Sequence, residues 1–291
     1  MKRKRLFVSL LFAGLIAALP PVTQAAAPSQ QGLSQTIADP AQQLRAMANM
    51  LRANDLPGLL SALLPPTQLQ QLRLAYDLHR TEPSSDADRV KFAEALAKLN
   101  AVDSVDQLMA EIEPKLQEAR PQAVGAVMMG LGALQVAVAS PQAELTELQR
   151  AALQSMLPGL QRWATNTDFL SSASMRQALT LLSNAARSSG VNNLDQLKML
   201  SLDEVLAHAG SLLAAGKQAV RIYGLDLDAI TDSLQVQVLS VDGHNARVRA
   251  TWMVFDAPVS SEHDLVWVAG RWYGKDVAAH WSVEHASAEK G

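Results

Sequence analysis

From Asp39 to Gly224 apolar residues recur every three to four positions, and the residues that interrupt them are those that start and stop helices. Asp39-Pro40 offers an N-cap and a proline at the first helical position, after which Leu44, Met47, Met50 and Leu51 share one face. Pro65-Pro66-Thr67 ends one helix and caps the next, which aligns Leu69, Leu72 and Tyr76. Asp86 opens another with Val90, Ala93 and Leu96 on one side, and Ser104 begins a segment reaching Arg120, where Pro114 predicts a kink or a split. Ser140-Pro141 starts a long pattern through Leu145, Leu148, Ala152, Leu153 and Met156, interrupted at Pro158. Asp168 to Ser189 ends at Gly190, and Ser201 with Glu204 spells a capping box for a last long helix running to Gly224.

The period then changes. Residues 233–276 alternate apolar and polar positions between turn residues, which predicts four antiparallel strands in a meander. The fold class expected is α+β, mainly α: a multi-helix bundle over 39–224, then a C-terminal antiparallel sheet over 225–282 packed on the last long helix, with a tail at 283–291.

Register follows from the hydrophobic pattern, because a slip of one residue turns every side chain to the other face. A three-residue loop of Val241, Asp242 and Gly243 pairs Ser240 with His244 and groups Leu234, Val236 and Val238 with Ala246, Val248, Ala250 and Trp252. With 256–261 as the next connection, Trp252 faces Leu265 and Ala250 faces Trp267. A tight turn around Gly270 adds Trp272 to the same side. Three tryptophans then converge on one face, which is either the core beneath the last helix or the lining of a cavity for an apolar or aromatic ligand. Trp252, Trp267 and Trp272 are therefore the candidate ligand-binding residues.

The stretch "AVGAVMMGLGALQVAVA", residues 123–139, is interrupted only by Gln135. As a helix it spans roughly 25 Å, short of the roughly 30 Å of bilayer hydrocarbon. Pro121 and Ser140-Pro141 close its ends and no aromatic or basic cluster anchors it. A helix apolar all round belongs in the middle of a bundle, so the expectation is a buried central helix rather than a membrane-acting one.

The N-terminus adds a compartment. Lys2-Arg3-Lys4-Arg5, the apolar run Leu6 to Leu19, and Thr23 with Ala25 compose a secretory signal peptide over 1–25, cleaved after Ala25. Residues 26–38 read as a flexible tether. A mature protein so released belongs to the periplasm or the exterior, with no stable transmembrane segment. Loss of the four basic residues takes the net charge from −3 to −7, which removes the basic footprint of a nucleic-acid binder. Cysteine is absent, so stability without disulfides requires a substantial core.

Gly270-Arg271-Trp272-Tyr273 closes the strand set in a way that resembles the end of NTF2-like domains, cone-shaped α+β folds in which a helix packs on a curved sheet. The resemblance covers about the last 80 residues and implies a pocket for a small ligand or substrate. The whole chain, with Tyr-Gly-Leu-Asp-Leu-Asp at 223–228 before the sheet, also resembles a family of exported proteobacterial proteins of unknown function. That family brings no site residues with it.

Catalytic chemistry finds little support. Gly210 to Gln218 departs from a phosphate loop in spacing and sits mid-helix without a preceding strand. The six histidines, His79, His208, His244, His263, His280 and His285, read as turn and tail residues, His280 and His285 lying near Glu284 without a third metal ligand. No catalytic residue, metal or cofactor is assigned. The sequence reading is an exported, non-catalytic binding, adaptor or chaperone-like protein whose partner is another envelope protein or an apolar small ligand. The alternatives are an NTF2-like ligand-binding protein or enzyme, and a membrane-acting protein using 123–139.

Overall fold

A computed structural model describes residues 38–143 and 145–279. The signal-peptide segment, the tether up to Ile37, His280, Trp281, His285 and the tail lie outside the described residues. The helices are α1 (Pro40–Arg52), α2 (Leu56–Leu63), α3 (Pro66–Thr81), α4 (Asp86–Asn100), α5 (Ser104–Ala139), α6 (Glu147–Asn166), α7 (Ser172–Ser188), α8 (Leu194–Met199), α9 (Leu202–Ile222) and α10 (Leu227–Asp232). The strands β1 (Gln235–Asp242), β2 (Asn245–Val254), β3 (Ala257–Val268) and β4 (Arg271–Gly274) follow, and a further helical turn occupies 275–279. The class is α+β, mainly α, as the pattern of positions predicts.

Local chemistry accounts for most helix starts. The Asp39 side chain accepts from the Ala41 amide at 2.9 Å, with Pro40 as the first helical residue. Ser85 caps α4, Ser171 caps α7 and Asn193 caps α8. Ser201 and Glu204 form the full capping box of α9. A second box starts α6, where Thr146 and Gln149 each satisfy the other's backbone amide. That start lies several residues past Ser140-Pro141, because 140–143 turn before the helix begins.

The sheet is a meander in the order β1-β2-β3-β4, every neighbour antiparallel. Its register departs from expectation at two turns. Between β1 and β2 the loop is Gly243-His244, with Asp242 opposite Asn245 and a bulge between Val238 and Ser240. The bulge absorbs one residue, so a two-residue loop and a uniform apolar face coexist: Val236 lies opposite Ala250 and Val238 opposite Val248. Between β2 and β3 no six-residue connection exists. Phe255 and Asp256 alone make the turn, at φ +51° and +64°, the backbone a two-residue turn of the primed type needs. The residues 257–261 consequently belong to β3, with Pro258 opposite Met253.

Ala246, Val248, Leu265, Trp267 and Trp272 form a buried cluster on one face of the sheet, with Val236 and Leu44 of α1 packed against it. Cover for the sheet comes chiefly from α1, α6 and α10. The last long helix, α9, packs mainly on α7 and α2, which corrects the expectation that the sheet rests on it. Lys217 of α9 is buried, its ammonium donating to Asp228 Oδ1 at 2.7 Å and to the Leu51 carbonyl at 2.6 Å. This ties α9 to the end of α1 and to α10 and leaves the cation no role as a phosphate ligand.

The largest correction concerns 123–139. Ser104–Ala139 is one helix of 36 residues that runs through both Pro114 and Pro121, about 54 Å long. Its C-terminal half is not central. Within its most apolar 18-residue window only 6% is buried, although the mean hydropathy there is 1.6. Apolarity all round predicts burial, yet one face alone meets neighbours. Val138 is buried and Ala123, Val127, Leu131 and Leu134 are half-buried, at helical spacing along the inner side.

Candidate functional site

The three candidate tryptophans do not converge. Trp267 lies opposite Trp272 across β3 and β4, ring centroids 5.2 Å apart in an edge-to-face contact. Trp252 lies opposite Val259 near the β2–β3 turn, six residues along β2 from Ala246, the partner of Leu265. Six residues of strand are about 20 Å. The tight turn at Phe255-Asp256 causes the separation, since it draws Val259 rather than Leu265 alongside Trp252.

Trp267 and Trp272 are core residues, 9% and 1% exposed. The Trp272 indole N–H donates to the Ala38 carbonyl at 2.6 Å, and its backbone amide donates to Gln43 Oε1 at 2.9 Å. Gln43 Nε2 in turn donates to the Trp272 carbonyl. The start of α1 thus closes over the ring, and Trp252 is half-buried outside that cluster.

A second aromatic group lies where the helices meet the β2–β3 turn. Trp163 touches Phe169 edge-on at 5.1 Å and Phe255 at 5.3 Å, and Phe169 stacks on Tyr223 at 6.1 Å. The Trp163 indole donates to the Tyr223 carbonyl at 2.6 Å. The Tyr223 hydroxyl is buried without a partner, and burial pushes its pKa up, so it stays a neutral phenol. Gly159 of α6 admits this turn: a Cβ there would stand 2.1 Å from the Phe255 carbonyl oxygen. Sequence spacing did not reveal this group, because its members lie far apart in the chain.

Two open clefts flank α8. The first, about 290 Å³, is lined by Val191, Met199, Leu200 and His208 among others. The second, about 370 Å³, contains Arg80, Arg89 and Lys198, which would serve an anion if they were free. They are engaged. Arg80 donates to the Lys198 and Met199 carbonyls at 3.3 and 3.2 Å, closing the end of α8, while Lys198 donates to the Glu82 carbonyl at the end of α3. Arg89 pairs with Asp195 and Asp86, and Asp195 raises its pKa first by hydrogen bonding and then by its charge. The cleft is a reciprocal helix-end lock. Among the described residues no group of three His, Asp or Glu side chains gathers as a metal site would.

The outer side of α5 is what remains. Val124, Met129 and Val136 are 75, 76 and 71% exposed, and Met128 is 49% exposed. A Cβ built on Gly125, Gly130 or Gly132 would meet nothing within 4 Å. From Pro121 to Ala143 no residue is charged or aromatic. Both ends of the run are fixed within the chain. Arg120 donates to the Leu170 carbonyl, and Arg150 donates to the Val138 and Ser140 carbonyls at the C-terminal end of α5. The result is a slim, uncharged ridge able to admit another helix at short range but offering no catalytic group.

Comparison with protein-family models, with curated proteins and with solved structures found no match.

Proposed function

We propose that this is an exported, non-catalytic docking protein of the adaptor or chaperone-like type, whose working surface is the outer face of α5. One observation carries the reading: an apolar, uncharged helical run of five turns, anchored at both of its ends, presents a face to solvent. Burying such a face stabilises a complex by the same effect that builds a core. Small residues favour a protein helix as the occupant, since Gly125, Gly132 and Ala139 allow a backbone to approach closely. A membrane surface is the weaker fit. Interfacial helices carry tryptophan and a basic polar face, and this segment has neither. Export rests on the basic n-region, the apolar run and the Thr23/Ala25 site, so the mature chain begins at Ala26 in the periplasmic fraction.

The test is native electrophoresis of envelope extract from cells making the wild type or Met129→Glu. The wild type is expected in an assembly larger than the monomer. The variant is expected as the monomer, with unchanged thermal unfolding of the purified protein. An assembly indifferent to the charge overturns the reading. Flotation of the purified wild type with phospholipid vesicles, lost in Met129→Glu, would assign the face to the membrane instead.

A further inference from the structure

We infer that the occupant of the α5 face is a second copy of this chain, its α5 antiparallel to the first. This rests on the docking reading above and names the partner within it. The first argument is charge. A helix that covers Pro121–Ala139 without stranding a charge must itself be uncharged over the same length, and the same segment of a second copy meets that condition at every position.

The second argument is spacing. Gly125, Gly132 and Ala139 recur every seven residues, and Met128 and Gln135 recur every seven between them. This is a heptad seam with small residues at one core position and long ones at the other. In a parallel pair, glycine would lie against glycine and methionine against methionine, leaving voids and crowding in alternate layers. An antiparallel pair centred on Gly130 removes the conflict. Met128 sits over the second copy's Gly132, Gln135 over its Gly125, and Ala139 beside its Pro121. Each contact occurs twice by symmetry, as a closed two-fold interface requires, and alternating large and small residues fill the layers.

The third argument is size. The ridge from Pro121 to Ala139 is about 28 Å long. One helix pair of that length buries less than the ~1,200 Å² of a standard stable interface, so the association is concentration-dependent rather than obligate.

The chain has no cysteine, so introduced thiols report register without background. Met128→Cys and Gly132→Cys are made separately in the otherwise intact mature protein; Met128 is exposed, and a Cβ at Gly132 meets nothing within 4 Å. In the antiparallel pair these two positions face each other, within the roughly 7 Å between Cα atoms that a disulfide spans. Identical positions are displaced by about 6 Å along the axis in addition to the interhelical distance of about 8 Å, beyond that reach. Mixed under oxidising conditions, the two variants are expected to give the covalent dimer, and each alone several-fold less. Sedimentation equilibrium of the wild type is expected to approach twice the monomer mass as concentration rises, and Met129→Glu to stay monomeric.

Equal cross-linking by each single variant overturns the antiparallel register. A wild type that is monomeric at every concentration, with no cross-link in the mixture, overturns the second copy as occupant. If an assembly in envelope extract nevertheless dissolves in Met129→Glu, the docking reading stands while this inference falls.

Discussion

Gln43 and Trp272, 229 positions apart, exchange two hydrogen bonds: the Gln43 side-chain amide accepts from the Trp272 backbone N–H and donates to its C=O. A side chain of α1 thus takes the place a neighbouring strand would hold at the edge of β4. Gln43→Leu leaves both backbone groups of Trp272 without partners beneath α1. It is expected to destabilise the protein by roughly 1–3 kcal/mol, the cost of an unsatisfied buried polar group. The measurement is the urea midpoint at constant slope. Gln43→Glu, which keeps the acceptor and loses the donor, should fall between the two. A wild-type midpoint for Gln43→Leu would mean that water replaces the amide without cost.

The separation of the tryptophans makes a paired prediction. Trp267→Ala empties a buried site against Trp272 and is expected to cost roughly 3–5 kcal/mol. Trp252→Ala, at a half-buried position near the β2–β3 turn, should cost distinctly less. Denaturant unfolding of both variants decides the matter. Equal losses would put the three rings in one core. A loss below about 1 kcal/mol for Trp267→Ala, with saturable quenching of wild-type fluorescence by an apolar ligand, would make that face a binding pocket.

What the chain announces locally, it announces clearly. Asp39-Pro40 and Ser201 with Glu204 form their caps from residues within four positions, so no distant partner is needed to read them. The change to a two-residue period after Ser233 marks the meander for the same reason. The β2–β3 turn is different. Phe255 is a poor resident of the left-handed region, and it is held there by Trp163 and by the gap at Gly159, both distant in sequence. The bulge between Val238 and Ser240 is likewise decided by the whole sheet. The exposed side of α5 is the instructive error. Hydropathy reports what a segment would gain by burial, and an exposed apolar face has the same composition as a core helix.

Two carboxylates should shape the acid response. Glu204 accepts from the Ser201 amide and hydroxyl at 2.7 and 2.8 Å, and the amide bond above all holds its pKa below the ordinary carboxylate value. Glu262 is held low chiefly by its hydrogen bonds from Arg249, with the charge of Arg247 adding to the effect. A folded-state pKa below the unfolded one contributes stability above the unfolded value of about 4.3. That contribution is lost as pH falls through the folded value. The gap in melting temperature between wild type and Glu262→Gln or Glu204→Gln should therefore be present at neutral pH and close in acid. A gap that is constant with pH would show that neither charge contributes to folding.

Identical chemistry at two glycines should have opposite signs. Gly159→Ala drives a methyl into the Phe255 carbonyl at 2.1 Å, and both sides of that contact are backbone, which cannot rotate away. The expected cost is roughly 1–3 kcal/mol, as for overpacking generally. Its effect should concentrate on the β2–β3 turn, seen as faster amide exchange at 253–258. Gly130 lies off the heptad seam, on an exposed part of α5 where an added Cβ meets nothing within 4 Å. Gly130→Ala adds helix propensity and no clash, so it should stabilise by up to about 1 kcal/mol and leave self-association unchanged. Thermal unfolding of the two single variants beside the wild type measures both. Destabilisation by Gly130→Ala of the same size as by Gly159→Ala would place that side of α5 against a packed neighbour and contradict the open space around Gly130.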